Sequence, residues 1–165
     1  MLRARSSATF NEMIPKDKIL YSFLLNIFAD EACRSVQLIT SKNVSKLLKR
    51  IEKLEIQSIN ISPSIERISK CVDDIFVVFD DVVLSESNVG TIKNLLSQKI
   101  VIFTDFNEDQ STDDSMLRLG LQTELRDLKN NLKCFSYNLK TYNNKRSWNN
   151  AEGWANPENF DKFRW

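Results

Sequence analysis

The apolar positions along this chain come in two patterns, unbroken runs and helical repeats. Ile75 to Phe79, inside CVDDIFVVFDDVVLS (Cys71 to Ser85), is a continuous β-branched and aromatic run. It is short enough for a strand and apolar on both faces, which predicts a central strand of a parallel sheet covered by helices on both sides. Lys99 to Thr104 (KIVIFT) repeats the pattern, and the two runs end on acids, Asp80-Asp81 and Asp105. Glu86 to Gln98, between them, has the composition of a crossover helix. The three segments together predict a β-α-β unit.

The remaining elements assemble around it. Pro15 suits the first turn of a helix through KDKILYSFLLNIFADEA, whose Ile19, Leu20, Phe23, Leu24, Ile27 and Phe28 form a broad apolar face. Val36 to Thr40 predicts a strand. Ser41 to Leu54 predicts an amphipathic helix, with Val44, Leu47, Leu48, Ile51 and Leu54 on one face and Lys42, Lys46, Lys49, Arg50 and Lys53 on the other. Ile56 to Ile61 reads as a more polar strand nearer the sheet edge, and Pro63 opens a short helix, SIERISKCV. Ser111, with Asp114 three residues on, resembles a capping box for a helix carrying Leu117, Leu121, Leu125, Leu128 and Leu132. Cys134 to Leu139 alternates and reads as the last strand. The order predicts a Rossmann-like three-layer α/β sandwich with a mostly parallel five-stranded sheet.

Composition divides the chain into a flexible start (1–14), an α/β domain (15–140) and an Asn- and Trp-rich tail (141–165). The tail holds six asparagines and six aromatics in no helical or strand period. Trp148, Trp154, Phe160, Phe163 and Trp165 are therefore candidate partner-binding anchors. Net charge is +1, so no global field points to nucleic acid, but Asp73 to Leu117 sets ten acids against Lys93 and Lys99 alone. Lys46, Lys49, Arg50 and Lys53 are candidate nucleic-acid contacts, a weak expectation beside that of a solvated helix face. The absence of histidine excludes histidine triads and imidazole metal sites from this chain. Three scattered cysteines form no CxxC motif and predict reduced thiols in an intracellular protein, nuclear or cytoplasmic, while the acid-free, arginine- and hydroxyl-bearing start MLRARSSATF keeps a mitochondrial location as an alternative. No apolar run is long enough to span a bilayer, so no membrane partner is expected.

The run IFVVFDDVVLS resembles the Walker B strand of P-loop and RecA-like ATPases, with KIVIFTDF placed as their next core strand. No GxxxxGK[ST] loop accompanies it, since Gly90, Gly120 and Gly153 stand alone. The resemblance therefore implies an ATPase-dead RecA-like subunit, similar to the small paralogue partners that work in recombination complexes. It implies a non-catalytic interaction subunit of a heteromeric complex in DNA recombination or repair, with no catalytic residue and no cofactor. Asp80 would take the place of the Walker B acid. Two alternatives come from the residues themselves. Asp80, Asp81 and Asp105, at the same end of neighbouring strands, could hold magnesium for a metal-dependent nuclease or other phosphoryl-transfer enzyme. A nucleic-acid-binding module is the other. A GxGxxG dinucleotide fingerprint is absent.

Overall fold

The computed structural model describes residues 14–68, 74–95, 97–106 and 110–144. Its elements in chain order are α1 (Pro15–Asp30), β1 (Ser35–Ile39), α2 (Ser45–Ile51), β2 (Ser58–Ser62), a 3-10 turn (Ile65–Arg67), β3 (Ile75–Val78), α3 (Glu86–Asn94), β4 (Lys99–Thr104), α4 (Gln110–Arg118), β5 (Gln122–Asp127), β6 (Leu132–Asn138) and α5 (Leu139–Asn144). The strands form one mixed α/β sheet of six, in the order β2-β1-β3-β4-β6-β5. β2, β1, β3 and β4 run parallel, and β6 enters antiparallel between β4 and β5.

The unbroken runs lie where their composition requires. β3 is buried at every position, and β4 is buried from Ile100 to Phe103. Alternate residues feed two cores. Val36, Leu38, Ile75, Val77, Phe79, Val101 and Phe103 pack under α1 and α2, through Leu20, Leu24, Phe28, Leu47 and Ile51. Ile39, Phe76, Val78, Ile100 and Ile102 pack on the opposite side against Val89 and Ile92 of α3 and Met116 of α4. The sheet thus has helices on both faces, and that is why its central strands read as continuous rather than alternating.

The expected five-stranded, mostly parallel sheet is corrected to six strands with an antiparallel hairpin at one edge. The segment taken for a long leucine-faced helix is instead α4, a turn, and β5. Gly120 adopts φ 84°, the left-handed conformation in which a helix ends. Its N–H donates to Leu117 O at 2.9 Å and the Leu121 N–H donates to Met116 O at 3.0 Å, the paired bonds of a Schellman C-cap. Leu121 and Leu132 are buried while Leu117 and Leu128 are exposed, so the leucines share no helix face. The hairpin turn is closed by Asp127, whose carboxylate accepts from Asn130 N and Nδ2 at 3.0 and 2.9 Å. Asn131 takes φ 52° there. Ser111, expected as a cap, lies inside α4.

Candidate functional site

The chain steps from β1 outward to β2, then crosses back to β3 on the other side of β1. In open α/β sheets the crevice beyond the carboxyl ends of strands at such a reversal is where ligands bind. Here that place is formed by the turn after β1 (Thr40 to Val44) and the turn after β3 (Phe79 to Val82). Both strand ends are fixed by backbone bonds beyond the strands themselves, Thr40 N–H to Ser62 O and Phe79 N–H to Ile39 O, each 3.0 Å.

Side chains at this crevice form one charge network. Asp81 ties the two turns together: Thr40 Oγ1 donates to its Oδ1 at 2.8 Å and the Ser41 N–H donates to its Oδ2 at 2.7 Å. Thr40 Oγ1 accepts in turn from the Lys42 N–H at 3.0 Å. Asn43 then turns the chain into α2, its Oδ1 accepting from Ser45 N at 3.0 Å and Ser45 Oγ at 2.6 Å. These local bonds aim Lys42 at Asp80 instead of along the outer face of α2.

Asp80 is the centre. Its side chain is only 6% exposed, and each carboxylate oxygen carries one ammonium: Lys42 Nζ on Oδ1 at 2.8 Å, Lys16 Nζ on Oδ2 at 2.6 Å. Lys16, from the first turn of α1, also bonds Asp105 beyond β4. Lys42 lies 3.6 Å from Asp17. Burial alone would push the Asp80 carboxyl up, but hydrogen bonds from Lys16 and Lys42 and their charges hold it below the usual carboxylate range. Burial alone would pull both lysines down, and the carboxylates outweigh it, so Lys16 and Lys42 sit above their usual value. Tyr21, buried one turn along α1, has its phenol pushed up, first by burial and then by Asp17. Asp80 is thereby held ionised, and Lys16 and Lys42 protonated, across the neutral range. The six charged groups, four aspartates and two lysines, sum to −2.

The structure therefore brings Asp80, Asp81 and Asp105 to one end of the sheet but gives the first and last of them lysine partners and the second a hydroxyl and an amide. Among the described residues no group of three or more acidic, cysteine or histidine side chains is disposed to hold a metal ion. Lys46, Lys49, Arg50 and Lys53 occupy the exposed side of α2 and the turn after it. Trp148, Trp154, Phe160, Phe163 and Trp165 lie outside the described residues, as does Cys71. Cys33 and Cys134 are buried free thiols. No helix among the described residues is long and apolar enough to cross a membrane. Lys16, Asp17, Tyr21 and Thr40 are site residues that the sequence reading passed over, and Lys42 it placed on a solvated face. The available signal was position, since Thr40 to Asn43 directly follows the first strand of a predicted parallel sheet.

Elsewhere, a cleft of about 120 Å³ lies between the starts of α3 and α4, lined by Ser85, Glu86, Val89, Ser111, Ser115 and Met116. Glu86 is bonded there by Ser115 Oγ at 2.5 Å and Arg118 at 2.7 Å.

A model for a family of unknown function, DUF6231, matches residues 22–165. No curated protein matches the chain. Among solved structures, the methyltransferase domain of bacterial CtHen1-CN is similar at a TM-score of 0.44 and 9% identity, over 74% of this chain and 99% of that one. The family model that matches is DUF6231 and not one of the RecA-like ATPases, so the resemblance drawn from IFVVFDDVVLS is withdrawn. The physical reason it misled is that a buried strand ending in Asp is common to many parallel sheets. The non-catalytic recombination or repair subunit inferred from that resemblance is withdrawn with it.

Proposed function

The chain belongs to DUF6231, a family of unknown function, and we propose that it is a small-molecule-binding domain of Rossmann-like, three-layer build. Its crevice lies between the ends of β1 and β3 and takes a compact molecule carrying a positively charged group. The carrying observation is Asp80: a nearly buried carboxylate, kept ionised, at the reversal point of the strand order. Burying a charge is costly unless it is paired, and perturbed ionisable groups held in such a place mark functional sites.

The chemistry of the lining selects the ligand class. The turn after β1 has no glycine, so backbone amides do not present the close phosphate cradle of nucleotide-binding turns. Four carboxylates against two ammoniums favour a cation over an anion. The same groups are poor proton-transfer catalysts near neutrality. Asp80 is too weak a base, and Lys16 and Lys42 are too firmly protonated. They are suited to orienting a ligand and stabilising charge, with the Tyr21 phenol remaining a neutral donor.

The test is a thermal-shift and calorimetric comparison of cations against neutral counterparts: putrescine with 1,4-butanediol, choline with 3,3-dimethylbutanol, S-adenosylmethionine with S-adenosylhomocysteine. At least one cation should stabilise the wild-type protein beyond its counterpart, and Asp80→Asn should remove that difference. Equal behaviour within every pair, or an unchanged difference in Asp80→Asn, would overturn the proposal.

A further inference from the structure

The first turn of α1 is held differently from the rest of the helix. From Leu20 onward α1 is anchored by apolar burial, through Leu20, Tyr21, Leu24, Ile27 and Phe28. Ahead of it Ile14 is 64% exposed and Pro15 is exposed. Ile14, at the cap position, offers no side-chain hydrogen bond, and Pro15 has no N–H to give. The Lys18 N–H to Ile14 O bond is long, at 3.2 Å. What fastens this turn is charge: Lys16 to Asp80 and Asp105, and Asp17 facing Lys42. The Lys16 contacts reach 64 and 89 residues along the chain, to the ends of β3 and β4, and Asp17 meets Lys42 in the turn after β1. All of them end on the crevice or, at Asp105, on the strand end beside it.

We propose that the first turn of α1 is a latch across the crevice, with the Lys16 ammonium standing where the ligand's cationic group binds. A ligand cation displaces Lys16 from Asp80 and Asp105, and the first turn loosens while the helix body stays docked. Loosening it uncovers little apolar surface, because the residues from Ile14 to Lys18 are exposed or half-exposed. Such exchange of one ammonium for another is a local opening of low energy. This inference rests on the cation-binding reading, and the closing experiment separates the two.

Hydrogen exchange would be followed on the full chain for wild type, Lys16→Met and Lys16→Gln, with circular dichroism confirming the fold. Without ligand, the amides of residues 18–21 should exchange severalfold faster in both variants, with those of 24–30 unchanged. Putrescine should speed the same first-turn amides in wild type and bind Lys16→Met more tightly than wild type, while 1,4-butanediol does neither. Unchanged first-turn exchange in both variants overturns the latch, even where putrescine still stabilises the protein through Asp80. Faster first-turn exchange in the variants with no effect of putrescine on any form overturns ligand operation and counts against the cation reading as well. Putrescine that binds wild type and Lys16→Met equally leaves the cation reading standing and overturns the latch.

Discussion

Asp80→Asn keeps the side-chain volume and removes one charge from the centre of the network. Its cost can be bounded from the geometry. Removing one partner of a fully buried ion pair costs about 3–5 kcal/mol, whereas exposed pairs are worth about 0–1 kcal/mol. Asp80 is 6% exposed, but Lys16 is 19% and Lys42 35% exposed, and they keep Asp105 and Asp17 as partners. An intermediate loss of about 1–3 kcal/mol follows. For a domain of this size each kcal/mol moves Tm by about 2–4 °C, so calorimetry at pH 7 should find a drop of about 2–12 °C. The pH dependence gives a second reading. Because the Asp80 carboxyl is held below its ordinary value in the folded state, its contribution is present above the unfolded value and lost as pH falls through the folded one. The gap between wild type and variant should be constant from neutrality down to about pH 5 and close below about pH 4. A variant within about 1 °C of wild type at pH 7, or a gap that widens in acid, would refute the reasoning.

Four further outcomes are expected. Gly120→Ala should destabilise by about 1–2 kcal/mol in denaturant unfolding, because φ 84° is left-handed. Gly90→Ala, inside α3 with open space around the new Cβ, should stabilise by about 0.5–1 kcal/mol; a stabilising Gly120→Ala would mean the helix runs through Gly120 after all. Val78→Asp buries an unpaired charge in the second core and should cost several kcal/mol, so a near-unchanged Tm would contradict the central placement of β3. Lys46, Lys49 and Lys53 changed together to Gln should move stability by a few tenths of a kcal/mol each, and a loss of several kcal/mol would show that α2 does not present them to solvent.

How far the sequence revealed this fold depended on whether a pattern had one physical explanation or two. Ile75 to Phe79 and Ile100 to Phe103 admit only one, burial on both faces, and they lie at the centre of the sheet. Leu117, Leu121 and Leu125 recur at four-residue spacing, which suits a helix but also a helix end followed by a strand. Only the left-handed φ of Gly120 and the polar closure at Asp127 and Asn131 decide between them, and glycine in a leucine repeat is a faint signal. The acids of the site were legible because strand ends are where parallel sheets place function. The lysines were not. Lys16 sits among other charges ahead of an apolar helix, and Lys42 shares a face with Lys46 and Lys49 in any helical projection. What separates Lys42 is that α2 starts at Ser45, leaving it in a turn bent by Thr40 and Asn43.

The central claim is that a cation binds between the ends of β1 and β3, and residue-resolved NMR titration of the wild-type protein tests it most directly. Each cation and its neutral counterpart would be added in parallel. The account predicts saturable shifts for a cation, concentrated at Thr40 to Asn43, Asp80 to Val82 and Lys16 to Lys18, with its neutral counterpart producing little. Saturable shifts centred on the α3–α4 cleft, or none at the ends of β1 and β3 with any of the cations, would contradict it.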